Sequence, residues 1–213
     1  MFQDEYSRWC QAELVDFDLK RELTEIAGDE DAIRERFAAS LSFGTAGLRG
    51  TLGVGTNRMN IWVVRQSTQG IADWVKTKGG SQTVAISYDS RLKGWNFARD
   101  AASVLAANGI QVRLYDELMP VPALSFATRY YNCNAGIMIT ASNNPAKYNG
   151  YKAYGADGCQ VTDEDAAIVY AAIQKTDVIG GAKFMSFAEG VEKGLIRFVE
   201  DACKEAFYAA VES

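Results

Sequence analysis

Residues 83–115 read TVAISYDSRLKGWNFARDAASVLAANGIQVRLY. Thr83 to Tyr88 is a short run of apolar and β-branched residues, the pattern of a strand covered on both faces. Trp95 to Gly109 then places Phe97, Ala101, Val104 and Leu105 on one helical face and ends on a glycine suited to a left-handed stop. Gln111 to Tyr115 is predicted as the next strand. After Pro120 and Pro122, Ala123 to Tyr131 is predicted as a helix and Ala135 to Thr140 as a third strand. Strands separated by single helices pair in parallel through crossovers. The alternation therefore predicts an α/β domain of three layers, with helices on both faces of a mixed, mainly parallel sheet.

The flanks extend this frame. Ile61, Val64, Ile71 and Val75 form a helical stripe that stops at Lys78-Gly79-Gly80. Before it lies FGTAGLRGTLGVGTNRMN, Phe43 to Asn60, too rich in glycine for a regular helix and free to approach a ligand closely. Residues 1–41 read as a helical extension, with Asp29 as an N-cap and Ile33, Phe37 and Leu41 on one face. Thr162 with Asp165 marks a helix start, continuing to Lys175, and a last helix is expected from Leu195 to Val211. The expected domains are the extension (1–41), an α/β domain (42–195), and a helix (196–213) leading to a second domain.

Composition narrows the chemistry. The 213 residues contain no histidine, so a Ser-His-Asp triad cannot be assembled from this chain. The four cysteines are scattered and form no metal-binding spacing; buried thiols are expected. A net charge of −5 argues against non-specific nucleic-acid binding, yet a few cations in one cleft still suit a phosphorylated ligand. No apolar run is long enough to span a bilayer, and the start resembles no signal peptide, so a cytoplasmic protein is expected.

Ligands of open α/β sheets sit beyond the carboxyl ends of the strands. Those ends deliver Asp89-Ser90-Arg91 and Ala141-Ser142-Asn143-Asn144-Pro145, with Lys152 following in YNGYK. If the Gly44 to Gly50 loop folds onto the same edge, Arg49 joins a serine hydroxyl, a second arginine and a lysine. Guanidinium forks and an ammonium suit phosphate oxygens, and phosphoryl transfer needs positioning and charge neutralisation more than a strong base. Taken singly, each arginine reads more readily as a surface ion-pair partner and Thr-Ala-Ser as a plain turn; their joint placement at strand ends favours the ligand reading. Asp16-Phe17-Asp18 and Asp163-Glu164-Asp165 read as first-turn or solvated carboxylates.

FGTAGLRG (43–50), YDSR (88–91), Pro120-Val121-Pro122 and ITASNNPAKYNGYKAYG (139–155) resemble, in order, the first domain of the α-D-phosphohexomutases, the phosphoglucomutase/phosphomannomutase family. The extension is similar to that of the longer bacterial phosphoglucomutases. The resemblance implies an isomerase that interconverts hexose 1-phosphate and 6-phosphate, most naturally of glucose, through a phosphoserine and a bound 1,6-bisphosphate. It implies Ser142 as the phosphoryl carrier and, through its phosphate, a ligand of Mg²⁺, whose other ligands are aspartates of a second domain. It assigns Arg49 and Lys152 to the transfer site, with Lys152 as a general acid/base, and Thr45, Arg91, Asn143 and Asn144 to phosphate or substrate binding. Its partners would be the hexose phosphate and the remaining mutase domains of the same polypeptide.

Two departures accompany the likeness. Asn143 stands where the family loop carries histidine; it can hydrogen-bond but cannot exchange a proton near neutral pH. The family's metal, sugar-selecting and distal phosphate loops have no counterpart here, so no mutase turnover is expected from this chain alone. Two other readings stay open: a free-standing, non-catalytic domain that binds sugar phosphates or a protein, and a phosphatase using Ser142.

Overall fold

The computed structural model describes residues 1–80 and 82–212; Ser213, the last residue of the expected 196–213 segment, lies outside the described residues. The extension forms three helices, α1 (Phe2–Gln11), α2 (Phe17–Glu25) and α3 (Glu30–Phe37). Strand β1 (Leu48–Thr51) is followed by α4 (Ile61–Thr77), β2 (Thr83–Tyr88), α5 (Gly94–Ala107), β3 (Gln111–Leu114), α6 (Val121–Tyr130) and β4 (Ala135–Ile139). Then come β5 (Tyr148–Gly155), α7 (Asp163–Lys175), α8 (Phe187–Glu192), β6 (Ile196–Phe198) and α9 (Asp201–Glu212). The strands make one sheet in the order β1-β5-β4-β2-β3-β6. Pairing is parallel from β4 through β2 and β3 to β6, and antiparallel from β4 through β5 to β1.

Both faces of the sheet are covered, as the continuous apolar strands require. Val84, Ile86 and Tyr88 of β2 pack with Ile71, Phe97 and Val169 from α4, α5 and α7. The alternate residue Ala85 faces Leu124 of α6 and Phe207 of α9. The extension joins the first layer: Trp9 is fully buried, with its ring edge-on to Phe37 at 5.7 Å. Asp29 caps α3 by accepting from the Ala32 amide, and Thr162 caps α7 by accepting from the Asp165 amide. Among the described residues no helix is long and apolar enough to cross a membrane.

Several boundaries differ from expectation. Helix α3 stops at Phe37, and Leu41 lies beyond it in a loop where its amide donates to Thr56 and its side chain rests on Gly50. The helix expected from Leu195 is instead β6, an edge strand, followed by α9 from Asp201. Only Ile196 of that strand is buried, so its three residues show no alternation to read. Two of the thiols expected inside, Cys10 and Cys159, are exposed, whereas Cys133 and Cys203 are buried.

Glycine hides β1 and β5 in the sequence yet makes their pairing possible. A Cβ on Gly150 would meet the Thr140 carbonyl at 2.5 Å, and one on Gly47 would meet the Tyr151 carbonyl at 1.9 Å. Gly47 also holds φ +75°, in the left-handed region. Gly47→Ala is therefore expected to destabilise the fold by about 3 kcal/mol or more, combining left-handed strain with a main-chain clash. Gly28→Ala (φ +84°, open space around it) carries the strain alone, about 1 kcal/mol. Equal denaturation midpoints for the two variants would contradict the close β1–β5 approach.

Candidate active site

Because β2 and β4 run in parallel with Tyr88 opposite Ile139, the loops after them leave the sheet side by side. Arg91 ties them together. Its Nη1 donates to the carbonyls of Pro145 (3.1 Å) and Tyr148 (3.0 Å), and its Nη2 to those of Ser142 (2.7 Å) and Asn144 (2.6 Å). Four of the five guanidinium N–H groups are thus given to one loop. Arg91 was expected to bind phosphate; its geometry is that of a clamp on the loop backbone, with only Nε left, 3.8 Å from Asp89. Arg91→Met is expected to cost about 2–4 kcal/mol, since charge-assisted hydrogen bonds contribute about 1.5–3 kcal/mol each and water recovers part of the loss. A urea midpoint matching the parent chain would refute the clamp.

The clamped loop holds Ser142 at φ +55°, a conformation non-glycine residues seldom adopt. Its amide donates to Thr140 Oγ1 at 2.9 Å, and the Thr140 hydroxyl in turn donates to Asp89. Thr140 and Asp89 are the site-forming residues to which motif reading gave no role; their position as the first residues beyond two adjacent strand ends was the available signal. The exposed Ser142 Oγ accepts a hydrogen bond from Lys152 Nζ at 2.9 Å. Lys152 is carried by β5, opposite Met138 of β4, which fixes its side chain next to the loop.

Burial pushes the Lys152 ammonium below the ordinary lysine value of 10.5; the Arg49 charge pushes the same way and Asp89 opposes it. Arg49 sits on β1 opposite Gly150 and donates from Nη1 to Asn144 Oδ1 at 2.6 Å. It also reaches a cleft of about 580 Å³ lined further by Arg36, Arg58, Lys147 and Tyr148. The structure thus brings together Ser142, Lys152, Arg49, Arg91 and Asn144. Asn143 is exposed, and no hydrogen bond of its side chain to a described residue orients it. Thr45 lies in the tight turn closed by Gly44 and Gly47, without a hydrogen bond from its hydroxyl to the Ser142 loop.

The acidic pairs are structural. Asp16 caps α2 and, with Asp18, pairs with Lys93; Asp165 pairs with Lys78 and accepts from the Trp74 indole. Among the described residues no group of three His, Cys, Asp or Glu side chains could hold a metal.

An exposed serine hydroxyl thus stands on a clamped loop beside Lys152, Arg49 and Arg91, at the carboxyl edge of an α/β sheet. Residues 40–179 match the family model described as phosphoglucomutase/phosphomannomutase, alpha/beta/alpha domain I, and the chain belongs to that family. A phosphoglucomutase of Staphylococcus haemolyticus is 46% identical over 132 residues, covering 62% of this chain and 24% of that protein. One from Staphylococcus saprophyticus is 37% identical over 177 residues, covering 83% of this chain and 32% of that protein. Among solved structures, a Thermus thermophilus protein described as a candidate phosphomannomutase superposes with a TM-score of 0.62 at 28% identity, over 70% of this chain and 32% of its own. A Burkholderia thailandensis phosphoglucomutase/phosphomannomutase family protein shares the fold, with a TM-score of 0.57 at 22% identity, over 74% of this chain and 32% of its own. The chain therefore spans about a quarter to a third of the length of the relatives it matches.

Proposed function

We propose that Ser142 is the phosphoryl carrier of a mutase that interconverts hexose 1- and 6-phosphates, glucose phosphate being the substrate that the names of the staphylococcal relatives favour. The observation that carries this reading is the 2.9 Å contact from Lys152 Nζ to Ser142 Oγ on a loop held by Arg91. In the forward step a sugar hydroxyl oxygen attacks the phosphorus on Ser142. The new O–P bond forms as the Oγ–P bond breaks, Oγ leaves with the electron pair, and Lys152 supplies its proton. The attacking hydroxyl loses its own proton to solvent. In the return step Ser142 gives its proton to Lys152 and its Oγ attacks the other phosphorus of the bisphosphorylated sugar; the sugar O–P bond breaks, and the sugar oxygen leaves with the electron pair and takes a proton from solvent.

Arg49 offsets charge on the transferring oxygens, and Arg91 keeps the loop in place while adding its charge. Lys152 is the proton carrier of this chain, because Asn143 has no titratable group to offer. Magnesium belongs to the same proposal. The donors around Ser142 are cationic and Asp89 is engaged by Thr140, so a phosphoryl group on Ser142 would be this chain's one ligand to the ion. When bound, the ion neutralises charge on the phosphoryl oxygens. The carboxylate ligands and the sugar-selecting groups would come from the remaining domains of the polypeptide, so steady-state interconversion is not expected of residues 1–213 alone.

A phosphorylated chain incubated with Mg²⁺ and no sugar separates carrier from phosphatase. Retention of the phosphoryl group supports the carrier; release to water within minutes supports a hydrolase.

A further inference from the structure

Three non-glycine residues among those described hold a left-handed backbone: Lys93, Asn132 and Ser142. Two of them belong to the two loops joined by Arg91. Such a conformation costs about 1–2 kcal/mol per residue and persists where surrounding contacts over-determine it. For Ser142 those contacts are the Arg91 clamp and Thr140. Lys93, at φ +63°, is the N-cap of α5 but makes no side-chain cap hydrogen bond. Its ammonium is instead turned to the extension, 3.2 Å from Asp16 Oδ2 and 2.8 Å from Asp18 Oδ2.

Between these two points the backbone has little slack. The Gly94 amide donates to the Arg91 carbonyl at 3.0 Å, and Asn149 Nδ2 donates to the Leu92 carbonyl at 2.9 Å. The extension is itself anchored: Glu22 of α2 accepts from the Val54 amide at 2.7 Å and from Arg36 Nε at 3.0 Å. Asp16 is held by capping α2. One helix of the extension therefore grips both the glycine-rich segment after β1 and the loop that carries Arg91. Asp16 and Asp18 precede residue 40, where the family match begins.

We propose that Lys93, clasped by Asp16 and Asp18, is a positioning residue that fixes the Arg91 clamp and through it the Ser142 loop for phosphoryl transfer. The role in transfer rests on the function proposed above, whereas the mechanical coupling can be tested without any chemistry. Amide hydrogen exchange of the full chain reads it directly, because the amides of Thr140, Ser142, Asn144 and Tyr148 are all hydrogen-bonded within or beside the loop. Lys93→Met is expected to speed exchange of these four amides about fivefold, the equilibrium factor of a half-exposed ion pair, and Lys93→Arg to restore them. If Lys93→Met loosens the whole chain, Asp18→Asn is the deciding variant, since its side chain is 56% exposed and removing its charge leaves the backbone of Lys93 untouched. Faster exchange confined to residues 89–93 and 140–148 in that variant supports the coupling. Unchanged exchange at 140–148, with faster exchange only at 15–22, overturns it. The first outcome without any phosphoryl gain on Ser142 would leave the coupling standing and remove the proposed function.

Discussion

A Ser142→Ala chain is expected to gain no covalent phosphoryl group from a 1,6-bisphosphorylated hexose and Mg²⁺, while the parent chain gains one. This acceptance step is a half-reaction and does not require the steady-state cycle. The loss should be complete rather than partial, because the substitution removes the only atom proposed to bond phosphorus. It should also be clean. The clamp holds the loop through the carbonyls of Ser142, Asn144, Pro145 and Tyr148, and alanine keeps all four. Alanine adds little strain beyond what serine bears at φ +55°. Matching unfolding midpoints with label absent from the variant is the expected pair of results; label retained in the variant would move the chemistry to another hydroxyl.

Lys152→Met is the second large effect. The substitution keeps the length of the stem through β5 but removes the group 2.9 Å from Ser142 Oγ. Phosphoryl gain should slow by about 10²–10⁴, the usual worth of a positioned proton donor. Stability should move the other way or not at all. Burial lowers the pKa of Lys152 in the folded chain, so below that lowered value the folded state carries the full cost of a charged, partly desolvated ammonium. As pH rises from the lowered value toward 10.5, the unfolded state binds more protons at this site than the folded one, and stability rises with pH across that window. The methionine variant should lack this rise. A variant that loses both stability and activity in parallel would make Lys152 a structural residue.

The fold was legible where hydrophobic pattern alone decides it. Thr83 to Tyr88 and Ala135 to Ile139 are buried on both faces, and their continuous apolar runs announce parallel strands. Strands β1 and β5 were not legible, since Gly47 and Gly150 are required by the closeness of neighbouring carbonyls, a tertiary fact that looks like a loop in the sequence. At the site, strand ends pointed to Ser142 and Arg91, and YNGYK pointed to Lys152. The clamp made by Arg91 was not visible, because nothing local says that a guanidinium will meet main-chain carbonyls over fifty residues away. The Asp16–Asp18 pair reads as first-turn or solvated carboxylates, but its partner Lys93 lies 75 residues from Asp18 and emerges only in the folded chain.

Site mapping identifies the oxygen atom that accepts the phosphoryl group. After incubation with a 1,6-bisphosphorylated hexose and Mg²⁺, tryptic cleavage at Arg129 and Lys147 isolates the segment from Tyr130 to Lys147, whose aliphatic hydroxyls are Thr140 and Ser142. Fragmentation of that peptide should place a phosphoryl group on Ser142. Phosphate on Thr140, on another peptide, or on none would contradict Ser142 as the carrier, and the last of these would favour a domain that binds sugar phosphates without reacting with them.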